Sequence, residues 1–296
     1  MLHVVRRDPR QFGVEQTRWR LADLHQVCDW LRLRTSGGLS QLLARLGVSY
    51  KRARGHVHSP DALYRAKLQR VQLHLGEALR QSDRMVLLFQ DEFTYTRQPT
   101  LADAYAATGH DQALAELGQH TRATWRIAAA LDALRGQVVY RQARRLTLSE
   151  LVAFYEQIAA AYPQAETIYL VQDNWPVHFH PDVRAALRPH PLPWAVKTPP
   201  NWPSEPSSHA RHLDLPIQLV TLPTYASWTN PIEKLWRWLR QDVLHVHRFG
   251  DDWLGLKTQV GQWLDRLGRR AEALLRYVGL ADPTQLYHAL QNLDAP

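Results

Sequence analysis

"MVLLFQDE", Met85 to Glu92, is where the chain changes character: a short apolar run ends in a Gln and two acids. A run of this length suits a strand that is covered on both faces. Similar runs recur downstream. "TWRIAAAL" and "GQVVYRQ", with Arg135-Gly136 between them, read as the next two strands of a meander. From Thr147 to Tyr162, Leu148, Leu151, Val152, Tyr155, Ile158 and Ala159 recur at helical spacing. "TIYLVQ" is then a fourth strand, "PDVRAALRP" a short helix, "IQLVTLP" a fifth strand and "NPIEKLWRWLRQDVL" a long helix. The order βββαβαβα predicts an α/β fold, a mixed five-stranded sheet with helices on its faces.

Two regions fall outside that pattern. Residues 190–216, "HPLPWAVKTPPNWPSEPSSHARHLDLP", are dense in Pro and Ser and read as an exposed insertion. After Phe249 the sequence reads as two or three further helices, a helical C-terminal extension over 249–296.

The segment before Met85 is different in kind. Behind Thr17 as N-cap, Leu21, Leu24, Val27, Cys28 and Leu31 mark one amphipathic helix. After "RTSGG", Leu39, Leu42, Leu43 and Leu46 mark a second, closed by Gly47. The pair reads as a helix-turn-helix, winged-helix-like in that "VSYKRARGHVH" follows as an extended basic segment. Ser59 as cap and Pro60 at the first helical position begin a linker helix with Tyr64, Leu68, Val71, Leu75 and Leu79 on one face. Residues 1–84 hold 16 Lys and Arg against 7 Asp and Glu, whereas the remaining 212 residues hold 20 against 21. All of the net charge of +8 therefore resides in the N-terminal segment, as in a polyanion-binding arm on a neutral body. Lys51, Arg52, Arg54 and Arg45 are its candidate DNA-binding residues.

With 296 residues and 45% hydrophobic content, the chain can bury a sizeable core. No stretch reaches the roughly 18 apolar residues of a membrane span, and "MLHVVRRDPRQFG" lacks a secretory apolar stretch, so no membrane partner and a cytoplasmic location are expected. A single cysteine, Cys28, excludes an internal disulfide and a cysteine-based zinc cage.

Three acids occupy equivalent places. Asp91 ends the first strand, Asp173 ends the fourth in "IYLVQDN", and Glu233 opens the last long helix in "NPIEKLW", all at the rim where sites are built. Each also has an ordinary reading. Asp at a strand end often begins a turn, and Asn230, Pro231 and Glu233 have the spacing of a capping box. Should the first and fourth strands be neighbours, two carboxylates would meet in poorly solvating surroundings, a conflict that hard divalent cations resolve.

Together, "QDE" after an apolar strand, "LVQDNWPVH" and "LPTYASWTNPIEKLWRWLR" resemble the DDE transposases of bacterial insertion sequences related to mariner elements. The resemblance covers roughly Gly13 to His247. It implies a ribonuclease-H-like catalytic domain over 85–248 behind a helix-turn-helix arm and linker over 1–84. Asp91, Asp173 and Glu233 match the catalytic, metal-binding triad for two Mg²⁺ ions, for which Mn²⁺ substitutes. Two metals about 3.5 to 4 Å apart stabilise the attacking and leaving oxygens of an in-line displacement. The resemblance also implies double-stranded DNA as partner, in the form of terminal inverted repeats and a TA target, a homodimer in the active complex, and action at the nucleoid. The alternatives are a transposase-derived DNA-binding protein without catalysis and a ribonuclease-H-like nuclease.

Around the acids, Asn174, His178 and Asn230 are supporting candidates, His178 matching the His that follows the Asp-Asn motif in the family. "HFH" invites a zinc reading for His178 and His180, without a third ligand at suitable spacing. Strand alternation turns Glu92 away from Asp91, and Trp236 and Trp238 read as packing for the long helix. The interval from Asp173 to Glu233 is longer than in these relatives, which makes Glu205 and Asp214 rivals for the third acid. Glu205 lies between prolines, and neither rival has the Asn-Pro-Ile context. Tyr225-Ala226-Ser227-Trp228 stands where relatives have Tyr-Ser-Pro, and one helix-turn-helix is evident where relatives often have two.

Overall fold

The computed structural model describes residues 1–50, 59–105, 107, 112–119 and 123–287. The chain divides into two compact units, Met1–Val57 and His58–Pro296.

In the first unit, α1 (Leu2–Val5), α2 (Leu21–Val27) and α3 (Ser36–Arg45) enclose a small core of Leu24, Leu39 and Leu43. Thr35 caps α3 by accepting the Gly38 N–H, and Gly47 takes the left-handed conformation (φ +72°) just beyond the helix end. The first long helix begins later than its apolar spacing suggests. Thr17 is not its cap; Arg20 is, with its N–H and guanidinium both on the Asp23 carboxylate. Arg45 is exposed at the end of α3, while Lys51, Arg52 and Arg54 lie outside the described residues.

The second unit is built on the sheet order β3-β2-β1-β4-β5. β1 (Met85–Thr96), β2 (Thr124–Asp132) and β3 (Val138–Ala143) form an antiparallel meander, with Gly136 at φ +64° in its second turn. β4 (Thr167–Gln172) and β5 (Ile217–Thr221) add on parallel to β1. Crossovers by helix connect the parallel strands, as chain connectivity requires. Leu87, Phe89, Phe93 and Tyr95 of β1 face one helical layer, and Val86 and Leu88 face the other. The first layer holds α4 (Tyr64–Arg80), α7 (Glu233–Leu239), α8 (Trp253–Leu267) and α9 (Ala271–Val278). The second holds α5 (Leu148–Ala161), capped by Thr147, and α6 (Pro181–Ala185).

Three expectations need correction. The linker helix starts at Tyr64 rather than Ser59 and is not part of the arm: its Leu68, Val71, Leu75 and Ala78 are buried against the sheet, whereas Leu79 is exposed. The segment after Phe249 is helical as expected, but it does not lie outside the sheet-and-helix body, since Leu256, Val260, Trp263, Leu264, Leu274 and Val278 are all core residues. The long last helix is α only to Leu239; Arg240–Leu244 continue it as a π turn, which widens the coil before the chain leaves at His245. Residues 190–216 are largely exposed as expected, and they are anchored: Trp194 donates to Thr221, Ser207 binds Asp182, and Arg211 pairs with Glu156. Among the described residues no helix is long and apolar enough to cross a membrane.

Candidate active site

β1 and β4 are neighbours, and their register pairs Phe89 with Val171. Asp91 lies two residues past Phe89 in β1 and Asp173 directly follows the end of β4, and both line one cavity. Glu233, the first residue of α7, lines the same cavity as both, a space of about 330 Å³ also bordered by Asn174, Trp175, Leu222 to Ser227 and Asn230. The three acids that are far apart in sequence are thus gathered by a parallel strand pair and one helix start.

Glu233 does not form a capping box. The Asn230 N–H bonds back to the Ser227 carbonyl, and no side chain caps α7. The Asn230 amide instead donates from Nδ2 to the Gln90 carbonyl at 2.9 Å, which fastens the helix start to the strand just before Asp91. Asn174 makes the corresponding tie on the other side, donating to the Leu222 carbonyl at 2.7 Å. Helix α7 is held against the sheet by Trp236, buried and stacked on Phe93, whose indole N–H also donates to Asp91 Oδ2 at 2.7 Å. That bond occupies one oxygen of Asp91, and the Trp175 N–H occupies Oδ1 of Asp173 at 2.8 Å.

Charge is poorly compensated here. Burial, then the charges of Glu233 and Glu92, push Asp91 up to about 8 despite the Trp236 bond. Desolvation also raises Asp173, against the pull of the Trp175 N–H and with a further push from Glu92. Glu233 is raised by burial and by Asp173, while Arg240 and Arg237 pull it down. Carboxyl groups that resist ionisation together in a cavity lined by oxygen donors mark a place suited to a hard cation.

The wall of the cavity is braced from below. Asp61 accepts the Thr224 N–H at 2.8 Å and pairs with Lys67 of α4 at 2.8 Å, and Ser59 donates to the Thr224 carbonyl. Burial alone would raise Asp61, but Lys67 and the Thr224 and Leu63 N–H groups hold it down at about 2. Neither rival acid reaches the cavity. Glu205 is exposed in the insertion, and Asp214, also exposed, pairs with Arg188. His180 does not join His178 around an ion: its Nδ1 accepts the Asp182 N–H and its ring packs on Trp202.

Two buried glutamines on this edge escaped the sequence reading, whereas Glu92 stands where strand alternation puts it. Glu92 does turn to the face opposite Asp91, and there it meets His178 at 3.3 Å. Gln90 and Gln172, both fully buried, precede Asp91 and Asp173. The signal was the repetition of Gln-Asp at both strand ends, "FQD" and "VQD", since a Gln in a fully covered strand needs a polar partner.

A family model described as DDE superfamily endonuclease matches residues 86–253, from β1 through the start of α8. The chain belongs to this family. A relative of this DDE chain, the insertion element IS630 uncharacterized 39 kDa protein of Shigella sonnei, is 21% identical over 257 residues. The match takes in 86% of this chain and 66% of the relative, so the chain spans just under two thirds of that protein's length. Among solved structures, the Mos1 mariner paired end complex with Mn is similar at a TM-score of 0.55 and 16% identity, over 93% of this chain and 81% of that one. The Mos1 paired end complex with Mg gives 0.55 and 15% over 94% and 80%, and a pre-cleavage Mos1 transpososome gives 0.53 and 14% over 92% and 80%. These likenesses establish a shared fold for the DDE domain.

Proposed function

We propose that the protein is a DNA transposase that cuts and joins DNA at the ends of an insertion element. The observation that carries this reading is the convergence of Asp91, Asp173 and Glu233 on one cavity, with ionisation suppressed in all three. Family membership and the Mos1 likeness support it. The donor set fits a divalent metal, because every candidate ligand is a carboxylate oxygen and the acids lack an adequate counter-charge. Asp91, Asp173 and Glu233 would hold two ions, Mg²⁺ by preference with Mn²⁺ substituting, and these would stabilise charge on the oxygens entering and leaving phosphorus.

The chain's own residues contribute orientation. Trp236 fixes the rotamer of Asp91, the Trp175 N–H fixes that of Asp173, and the Asn230–Gln90 bond sets the start of α7 and hence Glu233. In this reading residues 1–57, with exposed Arg45 and the basic run at Lys51, Arg52 and Arg54, bind double-stranded DNA at the terminal repeats through phosphate contacts. The active complex is a homodimer that holds two ends, and it acts on the nucleoid in the cytoplasm.

The test is incubation of wild type and Asp91→Asn with Mn²⁺ and duplexes that carry the element's ends. Metal-dependent nicking by the wild type alone, with binding retained by both, is expected. Equal cutting by the variant would overturn the site assignment, and binding without cutting by either would favour a DNA-binding protein that has lost catalysis.

A further inference from the structure

The sheet face opposite Asp91 carries a second convergence of donor atoms. Glu92 points there, as Val86 and Leu88 do on the same strand. His178, in the turn Pro176–Phe179, is fully buried and brings Nε2 to 3.3 Å from Glu92 Oε1 and 3.9 Å from Asp173 Oδ1. One ligand atom from each of the three residues lies within 4.8 Å of the other two. His178 Nε2 nevertheless has no hydrogen-bond partner.

The ring's other nitrogen explains why. His178 Nδ1 lies 3.0 Å from the Tyr155 hydroxyl, which donates to Gln172 Oε1 at 3.3 Å. Where the hydroxyl gives its single proton to Gln172 it accepts from Nδ1–H, the tautomer that leaves Nε2 as an acceptor. Nε2 faces the two carboxylates. Three acceptors aimed at one another, two of them on little-exposed side chains, are costly unless a cation lies among them. Both inner ligands are also backed by hydrogen bonds, His178 by Tyr155 and Glu92 Oε1 by Gln90 Nε2 at 2.6 Å. Such backing is how metal ligands are oriented. Asp173, with 59% of its side chain exposed, leaves a way in.

We propose that Glu92, Asp173 and His178 bind one divalent transition-metal ion, Mn²⁺ or Zn²⁺, through two carboxylate oxygens and the imidazole Nε2. Ligand separations of 3.3 and 3.9 Å suit metal–ligand bonds of about 2.0 to 2.2 Å. A nitrogen donor favours such ions over Mg²⁺, which takes oxygen. The centre adjoins the proposed catalytic cavity through Asp173 and needs neither Asp91 nor Glu233.

Pulsed electron paramagnetic resonance of Mn²⁺ on the full chain separates the two sites, because the acid triad offers oxygen alone. Nitrogen hyperfine coupling is expected in the wild type and in Asp91→Asn, and its loss in His178→Gln. Tyr155→Phe and Glu92→Gln, checked for folding by circular dichroism, should each weaken the nitrogen-coordinated ion about tenfold or more. Absence of nitrogen coupling in the wild type, or its persistence in His178→Gln, overturns the proposal. If His178→Gln does not fold, unchanged Mn²⁺ affinity in the other two variants overturns it. No DNA enters the measurement, so failure here leaves the catalytic reading intact, and failure of cleavage leaves this centre standing.

Discussion

Asp91 sits where three influences meet: a buried strand end, the charges of Glu233 and Glu92, and the Trp236 indole. Its carboxyl keeps a proton in the folded chain up to about pH 8, whereas the unfolded chain releases it near pH 4. Between those values the folded state binds more protons, so metal-free protein loses stability as pH rises from about 4 to about 8. Asp91→Asn removes that burden and is expected to be more stable than wild type at pH 8, on the order of 2 to 4 kcal/mol by urea titration. A wild type whose stability is flat across that range contradicts the electrostatic picture of the cavity. Trp236→Phe keeps the stacking on Phe93 but removes the donor to Asp91. The expected cost is about 1 to 3 kcal/mol, measured the same way, with a drop in cleavage.

At the scale of elements, the helix start at Glu233 is set by a side chain that reaches away from it. Asn230→Ala removes the bond to the Gln90 carbonyl and leaves that buried group unpaired, at an expected cost of about 1 to 3 kcal/mol. Glu233→Gln, by contrast, should cost little or stabilise the metal-free chain, since Glu233 caps nothing and is charged against its surroundings. Denaturation midpoints of the two variants distinguish this arrangement from a capping box, in which both would destabilise. The five strands and their helices were legible in the sequence because each is a short apolar run or a helical stripe, and the places of the acids followed from strand ends and the Asn-Pro-Ile-Glu spacing. The adjacency of β1 and β4 was not, because pairing between strands far apart in sequence leaves no local trace. The same reason hid the Trp236–Asp91 bond, 145 residues apart. The packing of α4, α8 and α9 was missed because an amphipathic face shows that it is covered, but not by what.

For the whole molecule, the proposed function assigns different work to the two compact units. Deleting 249–296 would expose the faces that bury Leu256, Val260, Trp263 and Leu274, so a chain ending at residue 248 is expected to be insoluble or unfolded by circular dichroism. Removing 1–57 leaves the sheet and both helical layers complete. Residues 58–296 should therefore fold and bind Mn²⁺, with weaker DNA affinity and a shallower dependence on salt in a binding titration. Equal affinity and salt slope with and without residues 1–57 would contradict the assignment of DNA binding to that unit. Chemistry at the three acids is read out by strand transfer. Duplexes of the element's end with a free 3′-OH are offered with plasmid DNA in Mg²⁺ or Mn²⁺. Joined products are expected with the wild type, and none with Glu233→Gln or in the presence of chelator. Joining that survives Glu233→Gln or chelation would contradict catalysis by the three acids.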